Sequence, residues 1–227
     1  MNRRLLTQGL LALAASVSFL AAMPVYAADE APDALIKRLT KEALDTLQAD
    51  PGVQSGNVSR IMELVDEKVM PHVNFQRMTA SAVGPGWRQA TPEQRKRLEV
   101  EFKNLLVRTY AGAMSQAKNL SFSVKPLRAA PEDKEVIVRT LVIGRGDPVQ
   151  LDYRLEKTPG VGAGWKIFNL NVMGVWLVDT YRSQFAEEIN AKGIDGLITT
   201  LTDRNKANAG TQANPASSVK TAKPAKV

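Results

Sequence analysis

Between residues 120 and 172 the apolar residues of this chain abandon a helical repeat for a strand repeat. Leu120–Leu127, Glu135–Ile143, Val149–Lys157 and Trp165–Val172 each read as a strand. In the third, Leu151, Tyr153 and Leu155 alternate with Asp152, Arg154 and Glu156, so one face is dry and Asp152 falls on the polar side. The links Gly144-Arg145-Gly146-Asp147-Pro148 and Pro159 to Gly164 are short and rich in turn residues. A parallel connection needs a crossover of about a dozen residues or more. These strands therefore form consecutive antiparallel hairpins, and the rest of the chain must pack on the resulting sheet of about four strands.

The remainder reads as helices. Leu35, Ile36, Leu39, Ala43, Leu44 and Leu47 share a face of a helix from Pro32 to Gln48, stopped by Asp50-Pro51-Gly52. Val58 to Met70 repeats the pattern up to Pro71, and a short helix fits Phe75 to Val83 before Gly84-Pro85-Gly86. Thr91-Pro92-Glu93-Gln94 is a capping-box start for a helix reaching about Gln116, with Leu98, Phe102, Leu105, Leu106 and Tyr110 on its apolar side. Two more helices are expected near Val175–Asn190 and Ile194–Thr202. Helices, a strand meander and helices again make an α+β layout.

The ends have a different composition. Arg3 and Arg4 precede an uncharged run from Leu5 to Ala28, which ends in Val25-Tyr26-Ala27. This is the three-part plan of a secretory signal peptide, residues 1–27, cleaved after Ala27. The run is also just long enough to span a membrane, but Pro24 and the small residues at the cleavage site favour removal. The net charge of +7 sits mostly outside the predicted folded domain, residues 28–202, which carries 23 basic and 22 acidic residues. A dense basic face for nucleic acid is therefore not expected. Residues 203–227 hold Arg204, Lys206, Lys220, Lys223 and Lys226 among Ala, Asn, Ser, Thr and Pro, and read as a disordered basic tail. It serves as a solubilising end or a weak attraction for anionic headgroups.

Catalytic chemistry is hard to find. The chain has no Cys and one His, which excludes disulfides, thiolate sites and multi-His metal sites. His72 lies on a link between helices, and no G-x-S-x-G surrounds any serine. Asp66 with Glu67, and Glu187 with Glu188, are adjacent on helices and share no face. Gly160, Gly162 and Gly164 link two strands rather than a strand and a helix, so they are a hairpin and not a dinucleotide loop. What remains is apolar surface, above all Val172 to Val178, apolar at every position. Such a segment is wrapped on most sides or lines something apolar.

A set of segments carries a family resemblance. They are Gly84-Pro85-Gly86-Trp87-Arg88 leading into Ala90 to Arg95, then Phe102 to Tyr110, Pro148 to Tyr153, and Trp165 to Leu170. Gly174-Val175, Tyr181 to Phe185 and Gly193 to Ile198 complete the set. In this order and spacing, over residues 33–202, the chain resembles the MlaC (toluene-tolerance) family of periplasmic phospholipid-binding proteins. It departs from the family's pattern at Asn169, Met173 and Trp176, where Asp, an acidic residue and Ser are common.

The resemblance implies a curved antiparallel sheet wrapped by helices, cone-shaped like nuclear transport factor two, with an apolar cavity. Acyl chains would lie between sheet and helices, with the headgroup outside. It also implies a soluble periplasmic carrier that needs no cofactor or metal and is not an enzyme. Such a carrier moves phospholipid between an outer-membrane lipoprotein–porin complex and an inner-membrane lipid ABC transporter complex, preserving outer-membrane lipid asymmetry. The expected cavity walls are Phe102, Leu105, Tyr110, Leu141, Leu151, Tyr153, Phe168, Leu170, Met173, Val175 and Trp176, with Val175 on the family's Gly-Val step. Two other readings stay open: a small-molecule isomerase or hydrolase on a cone-shaped fold, using Asp152 or His72, and a chaperone-like binder of apolar polypeptide.

Overall fold

Alternation and turn chemistry produce the sheet as expected. In the computed structural model, which describes residues 30–208 apart from 118, 128, 131 and 145, the strands are β1 (Ser121–Val124), β2 (Glu135–Ile143), β3 (Val149–Lys157), β4 (Trp165–Val172) and β5 (Val175–Trp176). They pair in chain order, all antiparallel. The expected signal peptide and residues 209–227 of the expected tail lie outside the described residues.

The fifth strand corrects the helix expected to begin at Val175. Met173 and Gly174 both take positive φ, 52° and 86°, and Val172 faces Val175 across them. This is the two-residue reversal whose twist suits a hairpin. An all-apolar heptapeptide carries no period, so it hid a turn in its middle. The first expected strand is also shorter, starting at Ser121 and ending at Val124.

Seven helices accompany the sheet among the described residues: α1 (Pro32–Ala49), α2 (Pro51–Gln54), α3 (Val58–Leu64), α4 (Phe75–Val83), α5 (Gly86–Gln89), α6 (Pro92–Ser115) and α7 (Leu177–Ala207). Thr91 and Gln94 close the anticipated capping box on α6. The expected helix from Val58 to Met70 is broken up. It loosens into a π-helical turn at Val65–Val69 and tightens into a 3-10 turn at Met70–His72, where Pro71 cannot continue an α-helix.

Gly193 takes φ 70° and ψ −173° and folds α7 back on itself. Across the fold, Thr200 donates to Glu188 at 3.0 Å and Arg204 to Gln184 at 3.4 Å. In a straight helix those pairs would be roughly 18 and 30 Å apart. The second arm runs to Ala207, so the tail does not begin at Asp203. Asn205 is buried, and its amide donates to the Glu101 carbonyl and carboxylate.

Of three core clusters among the described residues, two lie against the sheet. Phe75, Phe102, Tyr181 and Phe185 stack between α4, α6 and α7, with ring centres 5.0–5.8 Å apart around Phe102. At one end of the sheet, Leu35 and Ile36 of α1 seal Val136, Val138, Leu155 and Trp165 from solvent.

Candidate functional site

Register divides the sheet into two faces. The inner face holds Val136, Val138, Thr140, Leu151, Tyr153, Leu155 and, on β4, Trp165, Ile167, Leu170 and Val172. Its α1 end is sealed. Towards the β4–β5 turn, by contrast, Leu151, Leu170, Val172 and Val175 are only half-buried, as are Leu106 and Tyr110 on α6. Leu106, Tyr110, Leu170 and Val172 all pack against the helical core. An apolar surface on which large residues stay half-open, beside a well-sealed core, is an unusual use of hydrophobic area.

Few polar groups interrupt this face, and Tyr153 and Thr140 among them are paired. The Tyr153 hydroxyl hydrogen-bonds with Thr40 and Thr140, and burial pushes its phenol up. Tyr181 is likewise raised by burial and meets Thr109. Tyr110 is pushed up to about 12, by burial first and by Tyr181 second. All three are neutral at physiological pH.

The structure brings together Tyr110, Leu151, Tyr153, Leu170 and Val175 from the expected wall. The other expected wall residues take different positions. Phe102 and Leu105 are sealed, at 0% and 4% exposed, in the helical core that lies behind Tyr110 and Leu170. Leu141 shares the outer face with Arg139, because Thr140 takes the inward position opposite Leu151. Phe168 is the extra residue of a β-bulge: Arg154 faces Asn169 while Leu155 faces Ile167. The bulge turns Phe168 under the Arg77 guanidinium, 3.7 Å from its ring centre. Trp176 pairs with Asn171, so it lies on the outer face, beneath Arg154 at 4.1 Å. Met173 sits at the turn tip, 64% exposed.

The residues for acid–base catalysis are apart. Asp152 lies on the polar side of its strand, as expected, and is buried there at 5% exposed. One oxygen accepts from Gln150 at 2.7 Å and the other has no partner among the described residues. His72 lies on the link before α4, where burial first and Arg38 second lower its pKa. Lys166, at the far end of β4, donates to the adjacent Pro71 carbonyl.

Sequence reasoning missed two buried amides. Asn169 Oδ1 accepts from the backbone N–H of Leu170 at 2.9 Å and of Val178 at 3.2 Å. It caps α7 from a neighbouring strand, in place of Trp176, whose side chain makes no cap. Asn171 Oδ1 accepts from Gly174 N–H at 2.8 Å and closes the β4–β5 turn. Two asparagines spaced by one in an apolar strand, just before a turn and a helix, were the available signal.

Comparison with known proteins bears on this architecture. The family model described as MlaC protein matches residues 37–203. The chain belongs to the MlaC family. Among relatives of that family, the Toluene tolerance protein ttg2D of Pseudomonas putida is 29% identical over 194 residues, 84% of this chain and 86% of that one. The Intermembrane phospholipid transport system binding protein MlaC of Haemophilus influenzae is 20% identical over 176 residues, covering 77% and 82%. A solved structure, the phospholipid-binding protein from Ralstonia solanacearum in complex with a phospholipid, superposes with a TM-score of 0.75 at 43% identity. That match covers 78% of this chain and 98% of the other. The α+β class with an antiparallel sheet packed on helices holds for this MlaC-family chain, with five strands rather than four. No helix among the described residues is long and apolar enough to cross a membrane.

Proposed function

We propose that this protein is a periplasmic phospholipid carrier that holds acyl chains against the inner face of its sheet. It shuttles lipid between an inner-membrane lipid ABC transporter complex and an outer-membrane lipoprotein–porin complex, and so maintains outer-membrane lipid asymmetry. The observation that carries the reading is the 43% identical Ralstonia solanacearum relative, whose structure is described as a complex with a phospholipid. The half-buried inner face of Leu151, Leu170, Val172, Val175 and Tyr110 supports it.

The physics favours a container. Two acyl tails carry about 30 methylenes, and exposing them to water costs roughly 24 kcal/mol at about 0.8 kcal/mol each. Between two dry surroundings the same transfer is nearly neutral, so direction has to come from the partner complexes. A container needs apolar walls, and Asp152, opposite Asn171 near the end of β4, stands apart from His72, whose link runs beside Ile167 at the strand's start; that separation argues against the isomerase or hydrolase alternative.

Native mass spectrometry of the protein purified from cells, followed by denaturing lipid extraction, tests the reading. A bound mass matching a diacyl phospholipid is expected. A clean unliganded mass from a folded protein, unchanged after incubation with phospholipid, overturns it.

A further inference from the structure

The end of α4, the short α5 and the start of α7 enclose a solvent-open pocket of about 400 Å³. Three arginines line it, Arg77, Arg88 and Arg182, and no carboxylate does. They differ in what they already hold. Arg77 is committed to Glu135 and Glu156 and covers the Phe168 ring. Arg182 is anchored through Nε, which donates to the Ser81 carbonyl at 3.0 Å, and its two terminal amino groups have no partner among the described residues. The Arg88 guanidinium makes no hydrogen bond or ion pair with any described residue.

The wall between them is fixed. Arg95 donates to the Trp87 carbonyl at 2.9 Å and to that of Arg88 at 3.3 Å, and its guanidinium stands 5.5 Å over the Trp87 ring. The α5 turn that carries Arg88 is therefore held from behind. Two uncompensated guanidiniums from separate elements converge on one concave surface, where their mutual repulsion is relieved by a shared anion.

We propose that this pocket binds a phosphate oxyanion through Arg88 and Arg182, with Trp87 as its apolar wall. One arginine fork satisfies a carboxylate, whereas two forks from different directions suit a tetrahedral phosphate. The volume also exceeds what a lone carboxylate fills and accommodates a phosphate with its ester substituent. The chemistry is the same for a lipid headgroup and for a free phosphate ester. The inference does not depend on the carrier reading, because the pocket shares no lining residue with the inner face.

Isothermal titration of the purified full chain with inorganic phosphate and with glycerol 3-phosphate is the test. Sedimentation with phosphatidylcholine vesicles, with and without phosphatidylglycerol, runs alongside. Arg88→Ala and Arg182→Ala should each weaken binding about tenfold or more, as loss of a charge-assisted hydrogen-bond pair does. Arg88→Lys and Arg182→Lys, which keep the charge but lose the fork, should weaken it too. Arg139→Ala removes the same charge from an exposed side chain of β2 outside the pocket and should leave binding unchanged. Both arginines are exposed, so the variants should fold, as circular dichroism will check. Binding of vesicles that follows the same variants assigns a headgroup, and binding of the soluble ligands alone assigns a free phosphate. Three results overturn the proposal: no binding in either arm, equal loss with Arg139→Ala, or binding of a polyglutamate peptide where phosphate fails.

Discussion

Phe102→Ala separates the sealed core from the inner face. Phe102 is fully buried, with Phe75, Tyr181 and Phe185 centred 5.8, 5.0 and 5.2 Å away. Truncating a buried phenylalanine costs about 3–5 kcal/mol, and loss of edge-on ring contacts favours the upper part of that range. Against a typical domain stability of about 5–15 kcal/mol, the variant stays folded but loses a large share of its margin. In a domain of this size, about 4 kcal/mol corresponds to a fall in Tm of about 8–16 °C. Urea titration followed by circular dichroism, with thermal melts alongside, measures both. Because the ring is fully buried among other core side chains, the loss should be equal in lipid-loaded and lipid-stripped protein. A cost below about 1 kcal/mol, or a loss confined to the loaded form, refutes the assignment of Phe102 to the core.

Further outcomes follow from other contacts. Asn169→Ala leaves the N–H groups of Leu170 and Val178 without their side-chain acceptor, and should cost about 2 kcal/mol in urea titration; Asn169→Asp, which keeps an acceptor oxygen for both N–H groups, should cost less. Gly193→Ala meets no atom within 4 Å but forces φ 70°, ψ −173° on an L side chain, so a cost of about 1–3 kcal/mol is expected from backbone strain alone. Val175→Glu places a carboxylate on the half-open inner face, where desolvation is costly; it should abolish the lipid mass in native spectra while the far-ultraviolet spectrum is unchanged. His72 is held below its ordinary pKa of 6.5 in the fold, so the unfolded chain takes up the proton first. Its contribution is present above pH 6.5 and lost as pH falls through the folded value. Melts of His72→Gln from pH 7.5 to 5 should therefore be flatter than those of the parent.

Much of this fold was legible where one physical rule acted alone. Strands β2, β3 and β4 lie where alternation and turn residues placed them, and Thr91, Pro92 and Gln94 started α6 by local hydrogen bonding. The site was less legible, because facing is a long-range property. Phe168 and Leu170 are two apart and share a face in any regular strand; only the pairing with Arg154 and Leu155 reveals the bulge that separates them. In β2, Ile137, Leu141 and Ile143 are as apolar as Val136 and Val138, so composition did not say which set faces the helices. Val175 and Trp176 looked helical because an unbroken apolar run conceals a turn. Asp152 alternated correctly, yet the carboxylate is buried.

The lid formed by α1 has a consequence for the order in which the chain is made. Leu35 and Ile36 leave the ribosome roughly 130 residues before Trp165, the far wall of the cluster they close. At about 5–20 residues per second, that interval lasts about 6–26 s. Local helix formation is complete within about a microsecond and cannot shorten the wait. The nascent chain thus spends many seconds with its earliest apolar helix face uncovered, and the sealed end of the sheet closes only once β4 has emerged.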